Sequence, residues 1–124
     1  MEKGYLIVQT SIAKGSLPLE GARVLVYNAG EKESLFDLAT DLEGKTEKIT
    51  LSAPDKQESE TPNNGQIPFG AYDIYVEKDR FYSVFVQNAQ IFAEQTSIQY
   101  VNMIPLPEGV SEGENTIIVV PQNL

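Results

Sequence analysis

The feature that most constrains this chain is a period of two. Apolar and polar residues alternate over one short stretch after another, and Gly, Pro and acidic turns separate the stretches. Successive side chains of a strand point to opposite faces, so such alternation marks a strand with one buried face. In residues 5–12, Leu6, Val8, Thr10 and Ile12 share a face, and in 22–27 so do Ala22, Val24 and Val26. Residues 71–77 set Tyr72, Ile74 and Val76 against Asp73, Tyr75 and Glu77. Residues 81–87 set Tyr82, Val84 and Val86 against Ser83, Phe85 and Gln87, and Lys78-Asp79-Arg80 reads as the short hairpin connection between the two. Weaker or shorter extended segments fall at 35–40, 46–51 and 90–92, and a strong one at 96–104. No stretch has a convincing helical period; residues 33–39 come nearest. Seven or eight short strands predict an all-β fold, a Greek-key-like β-sandwich.

Turn chemistry divides the rest. Asp41-Leu42-Glu43-Gly44 predicts a tight turn, with Asp bonding the local backbone and Gly supplying positive φ. Residues 15–21 and 30–33 punctuate the first half, and 53–69 reads as a polar, Pro-containing loop. Pro105-Leu106-Pro107 closes a domain spanning 1–107. Residues 108–124 read as a linker or, through the apolar run 116–120, an edge strand leading towards a further domain.

Composition narrows the chemistry. The 124 residues include no His and no Cys, which removes imidazole relays, thiolate nucleophiles, zinc–thiolate sites and disulfides. The sequence points to no cofactor and to no enzyme. Nine basic against eighteen acidic residues give a net charge of −9, which repels phosphate backbones and anionic membranes and argues against nucleic-acid partners. No apolar run approaches membrane-spanning length, and the apolar stretch near the start is too short for a signal-peptide core. The expectation is a cytosolic product or a piece of something larger.

Four constellations invite a functional reading. Asp41, Glu43 and Glu47 offer oxygens to Ca²⁺, but lack the spacing of an EF-hand loop, and the plainer reading is a solvated acidic turn. Asp55, Glu58 and Glu60 offer a carboxylate pair, against the plainer reading of a solvated loop. Tyr72, Tyr75, Phe81, Tyr82 and Phe85 crowd one hairpin. Tyr75 and Phe85 fall on the face opposite the core, where they offer a stacking surface for sugar rings or another domain; the plainer reading is cross-strand packing. Lys3 and Asn102 lie in the first and last strong strands, the placement of an internal Lys–Asn isopeptide bond, but no strand-centre Lys is available.

The segments 4–10, 17–26 and 40–46, with Pro18-Leu19-Glu20-Gly21-Ala22-Arg23-Val24 and Thr40-Asp41-Leu42-Glu43-Gly44-Lys45-Thr46 as their motifs, resemble carboxypeptidase regulatory-like domains, which are transthyretin-like β-sandwiches. Residues 51–55, 71–77, 81–84, 90–99 and 101–107 resemble the N-terminal module of clostridial peptidoglycan-binding and spore cortex-lytic proteins. The resemblance implies a non-catalytic accessory module at the spore or cell wall that positions or regulates a neighbouring domain of the same polypeptide. It leaves open a direct contact with peptidoglycan or a protein partner through Tyr75 and Phe85. It carries over no catalytic residue. The related hydroxyisourate hydrolases use His residues and a Tyr-Arg-Gly-Ser terminus, which this chain lacks.

Overall fold

A computed structural model describes residues 2–55, 68–109 and 116–121. Among the described residues the regular elements are all strands: β1 (Glu2–Ile12), β2 (Leu17–Pro18), β3 (Arg23–Asn28), β4 (Ser34–Ala39), β5 (Ile49–Ala53), β6 (Gly70–Glu77), β7 (Ser83–Ile91), β8 (Thr96–Asn102) and β9 (Thr116–Val119). They form two sheets of a sandwich. The first is built on β1: β8 runs parallel along one side, while β5 and β2 share the other side antiparallel, at residues 2–6 and 11–12 of β1. The second has the order β4-β3-β6-β7-β9, antiparallel except for β9, which runs parallel to β7. The chain changes sheet after β2, β4, β5, β7 and β8, as Greek-key sandwiches do.

Alternation decides what enters the core. Leu6 and Val8 of β1 meet Val24 and Val26 of β3, Ile74 and Val76 of β6, and Val84 and Val86 of β7 between the sheets. Ile49, Leu51, Ala53 and Val101 close the core on the side of the first sheet. Each large aliphatic buried in this way contributes on the order of 1.5–3 kcal/mol, more than local propensity differences can offset.

That ranking accounts for the departures from expectation. Residues 33–39, the nearest thing to a helix, lie largely in β4, where Phe36 and Leu38 turn towards the core and Leu35 and Asp37 away. Residues 90–91 are not a separate piece but the end of β7. The punctuating stretch 15–21 contains the two-residue β2. Thr46 lies outside β5 and is spent on β1.

The two motifs of the first half interlock. The Thr40 hydroxyl donates to the Leu19 carbonyl at 2.8 Å and accepts the Ala22 amide at 3.0 Å. Asp41 Oδ1 accepts the Glu43 and Lys45 amides, shaping the turn. Gly44 has φ +79°, and a Cβ there would collide with the Thr10 carbonyl oxygen. The Gly44 carbonyl accepts the Thr10 amide at 2.7 Å, and Thr46 Oγ1 accepts the Val8 amide at 3.0 Å. The 40–46 turn therefore joins the β1 ladder between β5 and β2, and the spaced Thr, Asp, Gly and Thr are the groups that this joint needs.

Candidate functional site

The residues singled out as a contact surface, Tyr75 and Phe85, lie on the outer face of the second sheet, directly opposite each other in the β6–β7 register. Their row continues through Leu25 on β3 and Ile118 on β9. Tyr75, Phe85 and Leu25 are half-buried by their neighbours and Ile118 is exposed. The result is a shallow apolar stripe across four strands. Tyr72, Phe81 and Tyr82 do not join it: Tyr72 is buried in the core, Phe81 packs against the core from the turn, and the Tyr82 amide bonds the Ile104 carbonyl.

A bulge sets this register. Tyr72 pairs with Ala89 and Ile74 with Val86, so β7 carries one extra residue, with Asn88 at φ 60°. Without it, Asn88 and Gln90 would point into the core; with it, Ala89 and Ile91 do. Asp73, on the opposite strand, holds the bulge. Its Oδ1 accepts the Asn88 amide and its Oδ2 the Gly30 amide, each at 3.0 Å. Asp73 was expected on the solvent side; it is 6% exposed because the β3–β4 turn and the bulge both close over it.

At one end of the stripe sits an ionic frame. Arg23 grips Asp37 with two parallel bonds, Nε to Oδ1 at 3.0 Å and Nη2 to Oδ2 at 2.7 Å, and reaches Glu77 Oε1 from Nη1 at 3.2 Å. These bonds hold the Asp37 carboxyl below its ordinary range and the guanidinium above its own. Arg23, Tyr75, Glu77 and Ser83 line a cleft of about 440 Å³ together with Gly21, ahead of β3, and Lys78, Asp79 and Phe81 of the β6–β7 connection. Chemically this is a half-open surface with an aromatic ring, a fixed cation and carboxylates side by side.

The other constellations separate. Asp41 caps its own turn and Lys45 lies 4.0 Å from Glu43; among the described residues no three acidic side chains converge as a metal site would need. Asp55 is described, but Glu58 and Glu60 lie outside the described residues. Lys3 and Asn102 sit at opposite ends of β1: Asn102 pairs with Ser11, eight residues along from Lys3, and its Oδ1 accepts the Lys14 amide. At about 3.3 Å per residue the two are too far apart for an isopeptide bond.

No protein-family model and no curated protein sequence matches the chain. Solved structures do. A minor pilin, GBS52 of Streptococcus agalactiae, superposes with a TM-score of 0.55 at 13% identity, over 89% of this chain and 48% of that one. The TIE protein of Bacillus anthracis gives 0.53 at 13% identity, over 84% of this chain and 17% of that one. Catechol 1,2-dioxygenase of an Acinetobacter species gives 0.57 at 13% identity, over 95% and 58%. The chain thus spans a part, at most about three-fifths, of each of these proteins. Identities this low establish the fold alone. The chain is an all-β sandwich, compatible with the transthyretin-like arrangement.

Proposed function

We propose that this chain is a non-catalytic accessory module of a cell-wall or spore-cortex protein, and that it positions or regulates a neighbouring peptidoglycan-acting domain. The observation that carries the reading is where its polar groups go. Thr10, Thr40, Asp41, Thr46 and Asp73 each spend their side-chain oxygens on backbone amides or carbonyls of the sandwich. They are the parts of a scaffold. Two of the matching structures, the pilin and the TIE protein, contain such a sandwich as a fraction of a longer chain, and the resemblance to clostridial cortex-lytic modules points the same way. The test is deletion of residues 1–107 from a full-length protein that carries the module. Changed targeting or lytic activity, with the remaining domain still folded, supports the reading; unchanged behaviour overturns it.

A second reading rests on the stripe. Tyr75 with Leu25, Phe85 and Ile118, beside the Arg23–Glu77 cleft, combines an apolar platform with fixed charges, the combination that holds sugar rings by their faces and hydroxyls. Here peptidoglycan itself, or a protein partner, is the ligand. Retention of the purified chain on insoluble peptidoglycan, lost in a Tyr75→Ala/Phe85→Ala variant that still folds, supports glycan contact. No retention of either protein leaves the scaffold reading alone.

A further inference from the structure

Among the described residues the longest edge strand without charge or proline is β8; β5, also an uncharged edge, has five residues, and its Ser52 carbonyl takes the Tyr72 hydroxyl. Sheet edges are normally blunted by charge, proline, a bulge or brevity. The two-residue β2 contains Pro18, β4 carries Asp37 and a bulge in its pairing with β3, and β9 is four residues long with Pro121 close behind. β8, Thr-Ser-Ile-Gln-Tyr-Val-Asn, has seven residues, no charge and no proline, and its pairing with β1 runs without a register shift. Among the described residues no strand pairs its outer side.

The hydrogen-bond phase of that edge follows from its two ends. The Gln95 carbonyl accepts the Tyr5 amide and the Met103 amide donates to the Ser11 carbonyl. Odd-numbered residues therefore bond to β1, and the amides and carbonyls of Thr96, Ile98, Tyr100 and Asn102 face outward, the Tyr100 carbonyl accepting the exposed Gln99 side-chain amide at 3.1 Å, which a pairing strand displaces. Only residues facing outward on both strands can pair, and an antiparallel copy of β8 centred on Gln99 meets that condition over the whole strand. Thr96 falls opposite Asn102 and Ile98 opposite Tyr100 of the second copy. Ile98 and Tyr100 are 45% and 67% exposed and lie on one face beside Ile7 and Gln9. In such a pair each Ile98 covers a Tyr100. The strand is also neutral in a chain of net charge −9, so it is where two copies approach with least repulsion.

We infer that two copies of this chain associate through antiparallel pairing of β8, joining their first sheets into one continuous sheet. The occupant is a second copy because the strand is complementary to itself in register, hydrogen-bond phase and side-chain face.

The test is sedimentation of the whole chain from micromolar to millimolar concentration, together with amide exchange residue by residue. A mass that rises towards twice that of one chain, more readily as salt is added, is expected, because screening weakens the mutual repulsion of like-charged copies. With it, exchange at the Ile98 and Tyr100 amides slows as concentration rises, while the Gln99 and Val101 amides, already bonded to β1, do not change. Ile98→Lys and Tyr100→Lys each weaken the association about tenfold or more, as a lysine on an edge strand does. Thr50→Lys, on β5 at the far side of the same sheet, leaves it intact. A chain that stays monomeric throughout overturns the inference. So does a dimer in which the Ile98 and Tyr100 amides exchange at the same rate at every concentration, a readout that needs no variant to fold.

Discussion

The hydroxyls of Thr10 and Thr40 converge on one carbonyl, that of Leu19, each at 2.8 Å. The convergence ties the first strand, the crossing segment before β3 and the turn after β4 at a single point. The two threonines differ in what else they hold. Thr40 also accepts the buried Ala22 amide, whereas Thr10 is a donor to Leu19 with a longer approach to the Gly44 carbonyl at 3.3 Å. Removing Thr40 orphans a donor; removing Thr10 leaves Leu19 with its other partner. Thr40→Val is expected to cost about 1–3 kcal/mol and Thr10→Val about 1 kcal/mol, with Thr40→Ser close to wild type. Urea unfolding midpoints at neutral pH rank the three.

Gly44 and Gly30 share a φ of +79° but not their surroundings. A Cβ on Gly44 runs into the Thr10 carbonyl oxygen and lies 3.3 Å from the Pro18 side chain, while one on Gly30 meets nothing within 4 Å. Gly30→Ala therefore carries the conformational penalty alone, about 1 kcal/mol. Gly44→Ala adds the displacement of a buried backbone joint and is expected to cost at least about twice as much. Equal losses in thermal unfolding would refute the joint described for the 40–46 turn.

What the chain reveals before folding is what is local. Alternation placed Leu6, Val8, Val24, Val26, Ile74 and Val76 on the core face, and all are buried. It works because burial follows the two-residue period within one strand. It fails where a distant group intervenes. Asp73 follows the alternation to the outer face, yet is closed over by Gly30 and Asn88, 43 and 15 residues away in sequence. The bulge at Asn88 breaks the alternation after Gln87, so residues 88–91 do not read as one strand with 83–87. Which strands pair in parallel, β1 with β8 and β7 with β9, leaves no trace in local pattern. The same holds for the candidate site. Tyr75 and Phe85 were legible as outward aromatics, while the Arg23–Asp37–Glu77 frame beside Tyr75 joins three strands whose charges carry no spacing signature.

Asp73 offers a sharp test of that long-range closure. Both of its oxygens accept amides, so each position needs an acceptor. Asp73→Ala leaves the Gly30 and Asn88 amides without their partner and is expected to cost about 2–4 kcal/mol, charged acceptors being worth more than neutral ones. Asp73→Asn is nearly isosteric but turns an NH₂ donor towards one of the two amides, and is expected to lose about half as much or more. Faster exchange at the Gly30 and Asn88 amides, with the rest of β7 protected, would locate the effect.

Tyr72 gives the fold an alkaline limit. Its hydroxyl donates to the Ser52 carbonyl at 2.6 Å, and burial pushes the phenol above its ordinary value. The unfolded chain then releases this proton first. The stabilisation is fully present below the unfolded phenol value, about 10, and is lost as pH rises through the folded one. Urea midpoints of the wild type should fall more steeply above that pH than those of Tyr72→Phe, which has no proton to lose. Parallel slopes would mean that the phenol ionises without opening the sandwich.

Asp37 works in the opposite direction. The hydrogen bonds from Arg23 hold its carboxyl below the ordinary value, so the unfolded chain takes up this proton first as pH falls. The contribution of the pair is present above the ordinary carboxyl range and disappears as pH falls through the folded-state value. Both side chains are about half exposed, at 54% and 52%, so solvent screens the pair and its share of stability at neutral pH is small. The informative readout is the titration itself. In Arg23→Gln the Asp37 carboxyl, followed by its carbon chemical shift, should move back up towards an ordinary aspartate while the unfolding midpoint at neutral pH barely changes. An Asp37 titration unmoved by the substitution would show that the two parallel bonds of the frame do not persist in solution, and the wall of the cleft beside Tyr75 would lose its fixed charge.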